Sequence, residues 1–211
     1  HSKDLVHWSE QQFVPVMAHE PTVCNVWAPE LFFAEKEQQF IICWASTIPG
    51  RFPDHLEPST NNHRMYFTTT RDFHTFTPTK LFLDPDFSVI DCQILKEADR
   101  YVLLLKDNTR PQRNIRVAFG NTPLGPWRDL STNLTANFTE GPCGLKIQDD
   151  WLIYYESYQA KHYSAMKTRD FKMFADVTSE MTFPPELKHG TAFTATKKEL
   201  DYLFAAQRNV K

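Results

Sequence analysis

Apolar residues along this chain come in short bursts separated by polar turn residues. The bursts are "QFIICWAS" (39–46), "RMYFTTT" (64–70), "RYVLLLKD" (100–107), "NIRVAFG" (114–120), "WLIYYESY" (151–158), "HYSAMKT" (162–168) and "DYLFAA" (201–206). Their lengths, their β-branched and aromatic content and the turn residues between them predict strands. No window of comparable length carries an apolar stripe at helical spacing, so the pattern predicts an all-β chain. The 14 prolines agree, since each would break or end a helix.

The strands recur in a larger unit. "SKDLVHW" (2–8), "TRDFHTF" (70–76) and "TRDFKMF" (168–174) share a hydroxyl start, an Asp, an apolar residue and a closing aromatic, and "NTPLGPW" (121–127) holds an equivalent place. The closing aromatics Trp8, Phe76, Trp127 and Phe174 bracket units of roughly 50 residues, each holding three or four antiparallel strands. Sheets of that size cannot bury both faces alone, and stacking them radially about an axis gives a β-propeller. The chain reads as one such domain over 1–211: the end of a first blade (1–8), blades at 25–76, 87–127 and 139–174, and the start of another at 188–211. Within the last, 190–194 and 201–206 are read as a strand pair. An incomplete ring would leave unpaired edges, which a partner or a further segment must cover.

The innermost strand of each blade lines the axis, so residues at its start meet at one end of the channel. Four segments hold that place: "NVWAPELFF" (25–33), "FSVIDCQIL" (87–95), "TEGPCGLKI" (139–147) and "KHGTAFTA" (188–195). They offer Glu30, Asp91, Glu140 and His189. Repeated carboxylates there are costly as packing, because buried charge needs compensation, and sensible as a site. Each residue alone also has an ordinary structural reading: Asp91 as a turn cap, His189 as a core histidine, Glu30 as a rim residue.

With "SKDLVHW", "WAPEL", "SVIDCQ", "TEGP" and "HGT" in that order, the chain resembles glycoside hydrolase family 43, whose fold is a five-bladed β-propeller. The resemblance implies an inverting glycosidase with three carboxylates. Glu140 matches the general acid that protonates the leaving oxygen. Asp91 matches the carboxylate that orients that acid and keeps its pKa raised. Trp27 matches a residue shaping the sugar subsite, with Glu30 beside it, and His189 matches an axial histidine that contacts a bound cation, such as calcium, or its waters. The general base belongs on a first inner strand that would precede His1, so it is not among these residues. No cofactor is required for turnover. The implied substrates are arabinofuranosides, xylosides or related plant polysaccharide fragments. Without the base, a carbohydrate-binding propeller lacking turnover is the alternative.

Charge and cysteine content change little. A net charge of −3 with scattered Lys and Arg makes no electrostatic case for nucleic acid or an anionic membrane. No stretch approaches the apolar length of a bilayer span. "HSKDLVHW" lacks a signal-peptide pattern, which leaves secreted, periplasmic and cytoplasmic locations open. Cys24, Cys43, Cys92 and Cys143 form no ligand-spaced cluster and read as isolated thiols. Trp44, Trp151, Tyr154 and Tyr155 read as core aromatics, and His55, His63 and His162 as solvent-facing.

Overall fold

A computed structural model of the chain describes residues 1–52, 57–58 and 60–208. His55 and the last positions of the 188–211 range lie outside the described residues. Among the described residues, eleven strands form three antiparallel sheets. The first holds β1 (Trp27–Ala34), β2 (Gln39–Ser46), β3 (Arg64–Thr70) and β4 (Lys80–Leu83). β5 (Val89–Lys96), β6 (Tyr101–Asp107) and β7 (Asn114–Gly120) make the second. The third holds β8 (Thr139–Ile147), β9 (Asp150–Ser157), β10 (His162–Thr168) and the two-residue β11 (Ala175–Asp176). Each strand pairs with its sequence neighbour, and the leading strands β1, β5 and β8 lie beside one another. These sheets are blades of a β-propeller.

The unbroken apolar run of β6 follows from burial on both faces. Leu103 and Leu105 face the first sheet and pack with Ile41, Met65 and Ala45. Val102 and Leu104 face the third and pack with Trp151, Ile153 and Met166. Alternation along a strand sends successive side chains to opposite faces, so a strand sandwiched between two blades has no polar face to show. A smaller cluster of Met17, Trp44, Ile48 and Tyr66 lies apart from these two.

The Asp-centred repeat turns out to be one hydrogen-bonded loop. Asp72 Oδ1 accepts from the amides of His74 and Thr75, both at 2.8 Å. Asp170 Oδ1 accepts from those of Lys172 and Met173, and Asp4 Oδ1 from those of Val6 and His7. The next residue in each loop, Leu5, Phe73 or Phe171, takes a positive φ of 57–62°. The hydroxyls of Thr70 and Thr168 cap the amides of Phe73 and Phe171. Short oxygen-bearing side chains that bond amides two and three residues on are what such a turn requires.

Two compact units divide the described chain: Val16–Thr191, which holds the three sheets, and His1–Pro15 with Ala192–Lys211. In the latter, the strand expected at 201–206 is not a strand. It lies within helix α1 (Lys197–Arg208). The reason is visible in "TKKE": Thr196 Oγ1 accepts from the Glu199 amide at 3.2 Å, and Glu199 Oε2 accepts from the Thr196 amide at 2.7 Å. That reciprocal pair is a capping box. Lys197 and Asp201, one turn apart, add an ion pair at 2.9 Å. No strand spans 188–195 either, so His189 arrives on irregular backbone. No helix among the described residues is long and apolar enough to cross a membrane.

Candidate active site

All three leading strands break register at the same place. The breaks fall between Trp27 and Glu30 in β1, Ile90 and Gln93 in β5, and Glu140 and Cys143 in β8. Each break carries one residue at positive φ: Ala28 at 47°, Asp91 at 53° and Gly141 at 58°. Bulges of this kind bend a strand and re-aim its side chains. Aligned through the bulge, Asp91 corresponds to Gly141, and Glu140 to Ile90. The two carboxylates are therefore not at equivalent blade positions, as the sequence repeat suggests, but one residue out of step. That offset is what joins them: the Gly141 amide donates to Asp91 Oδ2 at 3.0 Å, tying the backbone beside Glu140 to the neighbouring blade.

Glu140 sits between an ammonium and an imidazole. Lys106 Nζ is 2.6 Å from Oε2, and His189 Nε2 is 3.3 Å from Oε1. His189 also faces Glu156, at 3.7 Å. Asp91, Glu140 and His189 each present a ligand atom, all within 4.8 Å of one another. Against this group lies a cavity of about 190 Å³ whose walls include Glu30, Asp91, Cys92, Cys143 and His189. Glu30 Oε1 accepts from Gln93 Nε2 at 3.1 Å, and Gln93 Oε1 takes the Gly144 amide at 2.6 Å.

Burial, opposed by Lys106 and His189, pushes the Asp91 carboxyl above its ordinary value. Glu30 is raised too, by burial first, with the Gln93 bond working against it. For Glu140 the sequence reading expects a raised pKa, maintained by Asp91, and the structure runs the other way. Burial acts upward, but the His189 bond and the Lys106 charge outweigh it and hold the carboxyl at about 2. The Glu140 bond in turn raises the His189 imidazole above its ordinary value, against burial. Of the two groups the ring is the stronger base, so a proton shared between Glu140 and His189 rests on the ring. The spacing of the trio would admit a cation, yet a hard divalent ion requires free oxygen ligands, and Glu140 is already met by a fixed ammonium. The donor set suits proton transfer better than direct metal ligation.

Of the residues picked from sequence, Asp91, Glu140 and His189 come together and Glu30 shares their cavity. Trp27 does not join them. It stands half-exposed with its ring stacked on His63, centroids 5.0 Å apart. His63 is fully buried rather than solvent-facing, with Nδ1 turned to the Asn61 carbonyl at 3.1 Å. Trp44, Trp151 and Tyr155 are core residues. Cys24 is exposed, and Cys43, Cys92 and Cys143 are buried. Lys106 and Glu156 were missed. For Lys106 the signal was parity: in "VLLLK" it falls on the same strand face as the buried Val102 and Leu104, where a charge is out of place without a partner. Glu156 shares its face with the partly buried Leu152 and Tyr154 and gave no such signal.

Gly141 is the position that holds His189 in place. A Cβ there would lie 2.7 Å from the His189 ring, on backbone at a φ that side chains rarely adopt. Gly141→Ala is expected to lower stability by about 1–3 kcal/mol and to displace His189. Thermal unfolding checks the first effect, and an unchanged midpoint with an unmoved His189 ring resonance would contradict the packing described.

Comparison with known proteins supports the same fold and places the chain in a family. No curated protein matches it in sequence. Among solved structures it is similar to Zg3597, a family 117 glycoside hydrolase of the marine bacterium Zobellia galactanivorans (TM-score 0.54, 15% identity, 74% of this chain and 56% of that one). It is also similar to a β-fructofuranosidase of Schwanniomyces occidentalis (0.60, 12%, 74% and 34%) and to the RS223 β-xylosidase (0.56, 13%, 71% and 57%). The chain spans about half the length of the solved structures it matches. Residues 1–201 match the family described as "probable glycosyl hydrolase domain", related to glycoside hydrolase family 43, and the chain belongs to that family.

Proposed function

We propose that this domain carries the proton-donating half of an inverting glycoside hydrolase acting on arabinofuranosides, xylosides or related plant saccharides. The observation that carries the reading is the joining of Asp91, Glu140 and His189 within 4.8 Å beside a cavity. Glu140 is the donor to the leaving oxygen, and the proton it hands on is the one it shares with His189. Asp91 is too close to be its water-activating partner, since an inverting pair needs about 6.5–9.5 Å to admit a water. Asp91 instead fixes the Glu140–Gly141 backbone and stays protonated more readily than an exposed carboxyl. The water-activating base is a third carboxylate outside this trio.

A second reading, sugar binding without turnover, draws on one observation: Glu140 is held by Lys106 at 2.6 Å and His189 at 3.3 Å, partners that favour its ionised form over the proton donor. Calorimetry with arabino- and xylo-oligosaccharides, run beside a product assay on the intact protein with the third carboxylate included, separates the two. Binding with released sugar is expected. Binding with no product over long incubation favours the second reading and sinks the first.

A further inference from the structure

A second cavity, larger than the first, opens on the flank of the third sheet. It measures about 660 Å³ and lies between the segment 134–139 and the sheet face presented by β9, β10 and β11. That size falls within the roughly 300–1,000 Å³ of small-ligand sites. Tyr155 and Phe138 contribute ring surface, while Ser157, Ser164, His162 and Asp176 contribute polar groups. The polar groups are pre-arranged. Ser164 Oγ lies 2.8 Å from Ser157 Oγ and 3.1 Å from His162 Nδ1, and Asp176 Oδ1 accepts from the Thr178 amide at 2.8 Å. The bonds described for His162 all use Nδ1, which leaves Nε2 for a ligand. Each serine hydroxyl still has acceptor capacity beyond the bond between them.

The chemistry of the walls selects a ligand class. No lysine or arginine is among the lining residues described, so nothing there neutralises a phosphate or carboxylate. Aromatic surface beside short hydroxyls and an imidazole fits a neutral molecule that has both apolar C–H faces and many hydroxyls. We propose that this cavity is a second saccharide-binding site, distinct from the catalytic cavity. The two are back to back on the same strands. Thr139 and Ser157 line the flank cavity, while their neighbours Glu140 and Glu156 face His189. Alternation along β8 and β9 makes this possible. Such a site would hold a polysaccharide against the domain while another part of the chain enters the catalytic group.

The ligand class is drawn from the cavity itself and shares with the proposed function only the choice of probe. The test is a backbone-amide NMR titration of the full chain with xylotetraose and with arabinotetraose, followed at Ser157 and Ser164 for the flank and at Gly141 and Gly190 for the catalytic group. At least one sugar is expected to move the flank amides with its own saturation curve. The double variant His162→Ala/Asp176→Ala changes exposed residues, at the cost of the Asp176 bond to the Thr178 amide, and is expected to weaken that curve at least tenfold while the Gly141 and Gly190 amides keep their positions. Movement at Gly141 and Gly190 alone, or a flank curve that the double variant leaves intact, overturns the second site. Movement at the flank alone upholds it and counts instead against the catalytic reading. Silence at both places with both sugars overturns it as well.

Discussion

Glu140→Gln is expected to lower kcat/KM on xylo- or arabino-oligosaccharides by about 10²–10⁴-fold, the range that general acid catalysis supplies. The amide keeps the shape of the side chain and can still accept at one oxygen, so the Lys106 and His189 contacts change in charge more than in place. What it cannot do is pass a proton. A nitrophenyl glycoside has a leaving group stable enough to depart without protonation, and its turnover by the variant is expected to stay within about tenfold of the parent. The two substrates must therefore diverge. Equal losses on both would assign Glu140 a binding or structural role, and loss confined to KM would mean it contacts the sugar without serving the reaction.

Much of this site could be read from the sequence, for a definite reason. Glu140, Asp91 and His189 stand beside Gly and Pro or at the start of a β-rich run, in segments that repeat at blade spacing, and a repeat fixes which strand ends meet. The strands themselves were legible because short runs rich in β-branched and aromatic residues alternate with turn residues from Gln39 through Thr168. Two things were not legible. The first is a one-residue bulge: it leaves composition unchanged yet shifts every side chain beyond it, and here it decides that Asp91 meets the amide of Gly141 rather than the carboxylate of Glu140. The second is the sign of a pKa shift. From sequence, a neighbouring Asp is the obvious influence on Glu140. In the fold, Lys106 reaches it from the middle strand of the adjacent sheet and reverses the outcome. The helix at 197–208 was missed for a different reason: "DYLFAA" carries strand-like residues, while the signal that settles it, a capping box, sits just upstream.

Lys106 is almost fully buried, and its ammonium lies against the Glu140 carboxylate and over the Tyr158 ring at 5.2 Å. Lys106→Met keeps the buried stem and removes the charge. It leaves Asp91, Glu140 and Glu156 beside the His189 ring, and is expected to cost about 2 kcal/mol at neutral pH, below the 3–5 typical of a fully buried pair because Glu140 is partly open to water. The sign with pH follows from the direction of the shift. A carboxylate whose pKa is depressed on folding stabilises fully above its unfolded value and loses that contribution as pH falls through its folded value, here from 4.5 towards about 2. The gap between parent and Lys106→Met should therefore be constant from neutral pH to about pH 5 and close below it. Removing a positive neighbour also favours proton binding, so the alkaline limb of kcat/KM should move to higher pH. A purely structural lysine would lower stability and leave that limb where it was. In the double variant Lys106→Met/Glu140→Gln neither charge is left alone, so most of the lost stability should return. Losses that simply add across the two positions would show that the pair is not coupled, and with it would go the account of why Glu140 is ionised in the free site.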